Sequence, residues 1–147
     1  MASIQDKILK AEKFIRMTAR RRQILAILLE SEKALSAYEI IDAMRSKHQL
    51  TIQAMSIYRI LDIFQQKNLV HKIQLLNKYI ACSHMNCGQE HRLSHFLICI
   101  NCALVKETQA SDVFVNNLKT TIKRTGYFFM NPQLEISCLC KKCIKNQ

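Results

Sequence analysis

A run of apolar-faced helical stretches leads directly into two short alternating strands, and a cysteine-rich segment follows; together these predict an α/β chain of the α+β kind. The first pattern describes an N-terminal winged helix-turn-helix. The second places all seven cysteines after residue 81 and sets four of them in two Cys-x-x-Cys pairs, which describes a small, metal-stapled α/β domain. The expected organisation is a DNA-binding unit over 1–82, a hinge over 83–92 and a dimerisation and metal-binding unit over 93–147.

Taken in order, Ser3 and Asp6 have the spacing of a reciprocal cap, and a first helix is expected over Ile4 to Met17, carrying Lys7, Lys10, Lys13 and Arg16. Thr18 is placed to cap a second helix, with Ile24, Leu25 and Leu28 inward behind the Arg20, Arg21 and Arg22 cluster. Ser36 caps a third, whose Ala37, Ile40, Ile41 and Met44 fall on one face. A fourth helix is expected from Thr51, with Ile57, Ile60, Leu61 and Phe64 inward. Strands over Leu69–Leu75 and Lys78–Cys82, around a turn near Asn77, complete the winged pattern. The fourth helix is then the recognition helix, and its N-terminal side chains Gln53, Ser56, Tyr58 and Arg59 are the candidates to read base edges in a major groove.

Ser83 to Arg92 is polar and rich in metal-type side chains, with His84, Cys87 and His91, and reads as a hinge. Beyond it, Leu93–Ile98 and Leu104–Thr108 read as strands around the first cysteine pair. Ser111 or Asp112 caps a helix to about Thr125, which Gly126 closes. Tyr127–Ile136 reads as a strand interrupted at Pro132. A unit of about 60 residues has little core of its own, so a metal staple and pairing with a second copy are both expected.

With 22 Lys and Arg against 11 Asp and Glu, the formal charge is +11, which favours a polyanionic partner, nucleic acid before an anionic membrane. The 49% hydrophobic content excludes a disordered chain, and no apolar run approaches the ~20 residues of a membrane span. An odd cysteine count, paired spacing and no secretory leader point to reduced thiols in a cytoplasm.

Cys99-Ile100-Asn101-Cys102 and Cys140-Lys141-Lys142-Cys143 offer four thiolates, the closed tetrahedral shell of a structural Zn2+, with the two lysines softening its negative charge. A redox pair or a disulfide would not require two matched units. His71, Cys82, His91, His95 and Glu107 bracket the hinge and form a mixed nitrogen, sulfur and oxygen set that favours zinc over iron. Each alone also reads blandly, as a wing residue, a small buried hydrophobe or a surface charge. A zinc-dependent deaminase is disfavoured, because its His-x-Glu motif is missing and a four-thiolate shell leaves no open position for water. No enzymatic activity and no small organic substrate are expected.

The chain resembles the ferric uptake regulator family of bacterial metalloregulators, and most its zinc uptake regulator branch, from about Ala11 to Cys143. The resemblance rests on Thr18-Ala19-Arg20-Arg21, Leu35-Ser36-Ala37-Tyr38, Ser56-Ile57-Tyr58-Arg59-Ile60-Leu61, Leu69-Val70-His71-Lys72-Ile73, and Ile98-Cys99-Ile100-Asn101-Cys102 with Val105-Lys106-Glu107. It implies Cys99, Cys102, Cys140 and Cys143 as structural zinc ligands, with Cys138 outside the set. It further implies a regulatory zinc on His71, Cys82, a histidine before the first cysteine pair (His91, with His95 as the alternative) and Glu107. Tyr58 and Arg59 become DNA contacts, joined by Arg21 and Tyr38 from the motifs that open the second and third helices. The family's usual Pro and Gly are replaced by Ala19 and Ala103, and the histidine run of iron and peroxide sensors is missing. The implied function is a homodimeric, zinc-responsive repressor of zinc uptake genes that binds double-stranded operator DNA and carries two Zn2+ per chain. An iron or peroxide sensor of the same family, or a constitutive DNA-binding module with structural zinc only, are the rival readings.

Overall fold

The computed structural model describes residues 3–83, 85, 94–130 and 133–145. The chain divides into two compact units, Met1–Cys87 and Gly88–Gln147. Most of the expected hinge, His91 included, lies outside the described residues, as does Pro132.

Helix α1 (Ile4–Ala11) begins where the Ser3 hydroxyl accepts from the Asp6 amide while the Asp6 carboxylate accepts from the Ser3 amide. It is shorter than expected. After Ala11 the backbone tightens, with Lys13 N donating to Lys10 O at 3.2 Å and Phe14 N to Ala11 O at 3.0 Å, and this turn delivers Ile15 into the core. Thr18 then accepts from Arg21 N and starts α2 (Ala19–Glu30), which buries Ile24, Leu25, Ile27 and Leu28. Ser36 and Glu39 form a second reciprocal cap at the head of α3 (Ala37–His48), and Gln49, in the left-handed region at φ 54°, ends it. Helix α4 (Ala54–Gln66) starts three residues later than its apolar pattern suggested. Ile52 is buried ahead of it, and Gln53 is still extended as the N-cap.

Strands β1 (Val70–Ile73) and β2 (Lys78–Ala81) form the antiparallel wing, in a register that sets His71 opposite Ile80 and Ile73 opposite Lys78. They are shorter than expected because Gln74–Leu76 coils into a 3-10 turn, closed by Asn77 at φ 49°. One apolar core unites this unit, with Leu28, Ile40, Met44, Ile57, Leu61, Phe64 and Tyr79 among its members, and Cys82 joins it. No polar or charged side chain is buried among the described residues.

In the second unit, β3 (Ser94–Cys99) and β4 (Val105–Gln109) form a hairpin around the first cysteine pair. Ser111 caps α5 (Asp112–Arg124), and Gly126, at φ 82°, follows it in the left-handed conformation that a side chain resists. Tyr127–Met130, expected as strand, is irregular, and the strand of this segment is β5 (Gln133–Cys138). It returns parallel to β3 and gives the sheet order β4-β3-β5. A short helix α6 (Lys141–Ile144) follows.

Candidate metal centre and nucleic-acid interface

Both cysteine pairs sit on tight turns that the backbone enforces. Cys99 ends β3, its amide donates to Leu104 O, and Ala103 N returns to Cys99 O at 2.9 Å, with Ala103 forced to φ 58°. Cys140 caps α6, and the Cys143 and Ile144 amides both reach Cys140 O at 3.0 Å. The register that places Cys99 beside Cys138 brings the two turns together. All four sulfurs of Cys99, Cys102, Cys140 and Cys143 lie within 4.8 Å of one another, and Cys102 Sγ stands 3.7 Å from Cys140 Sγ. A tetrahedron of Zn–S bonds of about 2.3 Å has edges of roughly 3.8 Å, so the four residues fit a structural zinc.

The electrostatics suit a cation. The backbone N–H groups of Cys140 and Cys102 hold the Cys99 thiol down at about 6, and the Cys140 N–H itself lies 3.4 Å from Cys99 Sγ. The Cys143 amide lowers Cys140 in the same way. Cys143 is pulled down by the Asn101 side chain, yet the thiols of Cys140, Cys102 and Cys99, together with burial, push it up to about 12. Four sulfurs this close cannot all ionise without a positive charge among them, and a divalent ion supplies it. Asn101 is a participant that sequence reasoning missed. Its only signal is its place inside the Cys-x-x-Cys turn.

Cys138 stays outside the cluster, with its Sγ 3.6 Å from Ile98 O. In the first unit the wing brings His71 and Cys82 together. His71 lies in β1, Cys82 follows β2 directly and donates its amide to Leu69 O at 2.9 Å, and the two ligand atoms are no more than 4.8 Å apart. Cys82 is 1% exposed. Glu107 stands in the second unit, opposite Phe96 on β4, where the Ser94 hydroxyl approaches its carboxylate at 3.4 Å. His95 packs edge-on against Phe114 with ring centres 4.9 Å apart.

The expected base-reading side chains cluster at the head of α4. Gln53 and Arg59 are exposed, Ser56 is half-buried, and Tyr58 is half-buried and packed against the core. Tyr38, in the first turn of α3, is 67% exposed. Arg21 differs. It is half-buried, and its Nη1 donates to Arg16 O at 2.7 Å, which joins the end of the α1 turn to α2.

The sequence matches the model of the Ferric uptake regulator family over residues 12–137. It is 28% identical over 146 residues to the zinc uptake regulation proteins of Escherichia coli (strain K12) and Shigella flexneri, spanning 96% of this chain and 83% of each relative. Among solved structures, a zinc uptake regulator complexed with zinc and DNA aligns with a TM-score of 0.81 at 25% identity, over 99% of this chain and 98% of that one. The holo form of XcZur aligns at 0.76 and 29% identity, over 97% and 96%.

Proposed function

The chain belongs to the ferric uptake regulator family, and from that premise we propose that it is a zinc-responsive transcriptional repressor of zinc uptake genes, acting on double-stranded operator DNA as a homodimer in the cytoplasm. The observation that carries the choice of metal is the pairing of His71 with Cys82 on the wing. A thiolate beside an imidazole is a borderline-soft donor pair that suits zinc and is a poor match for ferrous iron, which prefers nitrogen and oxygen. The likeness to zinc uptake regulators from two organisms supports the same metal.

Two Zn2+ per chain follow from two donor sets of different character. Cys99, Cys102, Cys140 and Cys143 hold the structural ion. His71 and Cys82, completed by His91 and Glu107, hold the regulatory one. Gln53, Ser56, Tyr58, Arg59, Tyr38 and Arg21 are the operator contacts, and none of this requires an open metal position or a substrate. Pairing with a second copy is supported by α5, which buries none of its residues and leaves Val113 70% and Phe114 42% exposed.

The test is Cys82→Ser. It removes the soft ligand without touching the four-cysteine site, so the protein stays folded and paired with one zinc per chain. Operator affinity at saturating zinc should fall by roughly 5- to 150-fold, the span of ordinary coupling energies. Full zinc-dependent affinity in this variant, measured by fluorescence anisotropy on operator DNA, overturns the reading.

A further inference from the structure

Strand β2 touches three things at once. At its C-terminal end Cys82 follows directly, and across the ladder stands His71, opposite Ile80. At its N-terminal end Lys78 Nζ reaches Glu39 Oε1 at 2.9 Å, while Glu39 Oε2 accepts from the Ser36 amide at 2.6 Å. One carboxylate therefore caps α3 with one oxygen and grips the wing with the other. Beside it, Leu35 and Tyr79 exchange both backbone hydrogen bonds at 2.8 Å, a one-residue ladder between the wing and the entry to α3. Tyr79 is 3% exposed, and its phenol is pushed up by burial and then by the nearby Tyr58 and Asp62 of α4.

We infer that β2 is the rigid link through which the His71–Cys82 metal pair acts on the operator-reading helices, and that Lys78 and Glu39 are positioning residues for it. The inference rests on the zinc-responsive reading above. Its physical content is short and local. Cys82 stands four positions beyond Lys78, so a strand rising about 3.3 Å per residue spans the whole distance from the metal pair to the α3 cap without a flexible joint. The grip at the far end lands on Glu39, the chain neighbour of Tyr38, and Tyr79 next to Lys78 lies near Tyr58, so the link ends among the proposed operator contacts rather than on an inert surface. An ion that fixes His71 and Cys82 fixes the register and twist of the hairpin, and Lys78 with Tyr79 carry that constraint to the heads of α3 and α4. Without the Lys78 grip, the hairpin would still pair and still offer its metal ligands, but only the Leu35–Tyr79 backbone pair would tie the entry of α3 to it, and the link would loosen.

The experiment measures operator affinity with zinc-saturated and zinc-chelated full-length protein for the parent, Lys78→Met, Lys78→Arg, Glu39→Gln and the Lys78→Met/Glu39→Gln double variant. Lys78→Met keeps the aliphatic stem, and Glu39→Gln keeps an acceptor for the Ser36 amide. Exposed ion pairs are worth little, ~0.2–1 kcal/mol, so the zinc enhancement of DNA binding should shrink by roughly 2- to 5-fold in either single variant. The double variant should lose no more than one single does, and Lys78→Arg should restore the parent value. Affinity without zinc should not change, which a merely structural defect would not spare. By reciprocity, DNA should tighten zinc binding in Lys78→Met by a factor reduced to the same extent. If the parent responds to zinc and Lys78→Met keeps the full response, or loses affinity equally in both states, the link is overturned and the zinc reading stands. If the parent itself shows no zinc response, both fall.

Discussion

Ala103 occupies a backbone position that glycine would hold without strain, since at φ 58° its Cβ crowds the preceding carbonyl at a cost of about 1 kcal/mol. Ala103→Gly should stabilise the second unit by about that amount, and a thermal melt of the zinc-loaded protein should show a midpoint higher by a few degrees. The sequence offered Ala103 only as a departure from a family glycine, and the strain became visible with the turn. Glu39 behaves differently. Despite burial, which works against its charge, hydrogen bonds from Ser36 and Lys78 hold its carboxyl below the ordinary carboxylate value. A lowered folded value means its stabilisation is complete above the unfolded value and is lost as pH falls through the folded one. Melts of the parent and Glu39→Gln should therefore converge below about pH 4 and separate at neutral pH. The capping role was legible from the Ser36-to-Glu39 spacing. The Lys78 contact, between residues 39 positions apart, was not.

At the scale of elements, the second unit is, among the described residues, a three-stranded sheet with the unburied helix α5 and the short α6, and its largest fully buried side chains are Phe96 and Ile98. So small a core makes the four-cysteine zinc the main stabiliser, since bound zinc contributes on the order of 10 kcal/mol in small metal domains. Cys99→Ser or Cys143→Ser should release zinc and abolish pairing, while circular dichroism keeps the helical signal of the first unit. A paired, zinc-replete variant would refute this. Strand and helix identities were legible here from period-2 and period-3.6 patterns and from the caps, because those signals are local. The parallel return of β5 beside β3 was not, since no local pattern states which strand neighbours which. The end of α1 was missed for a related reason. Residues 12–17 favour helix individually, but burial of Ile15 and the Arg21 bond to Arg16 O determine the turn.

For the whole molecule, a formal charge of +11 and an exposed recognition-helix face separate two kinds of DNA contact. Arg59→Ala should cost ~1–3 kcal/mol and relax preference at one operator position, as loss of a base contact does. Lys13→Ala should weaken all sequences alike and flatten the salt dependence by about one unit. Competition assays across single-base operator variants and a salt series would check both, and equal, sequence-blind losses would reduce Arg59 to a phosphate contact. The two-part architecture was legible because charge, cysteines and helical period all change character near residue 82.

The sheet order also bears on how the second unit assembles in time. The β3–β4 hairpin joins neighbours along the chain and closes in microseconds, whereas the β3–β5 pairing must wait for a crossover that includes all of α5. Cys99 and Cys140, 41 residues apart, meet only when that slow step is complete. The nascent hairpin already presents Cys99 and Cys102, half of the final shell. An ion captured there first would shorten the search by holding one end of the route, so zinc supplied during synthesis should raise the yield of folded protein.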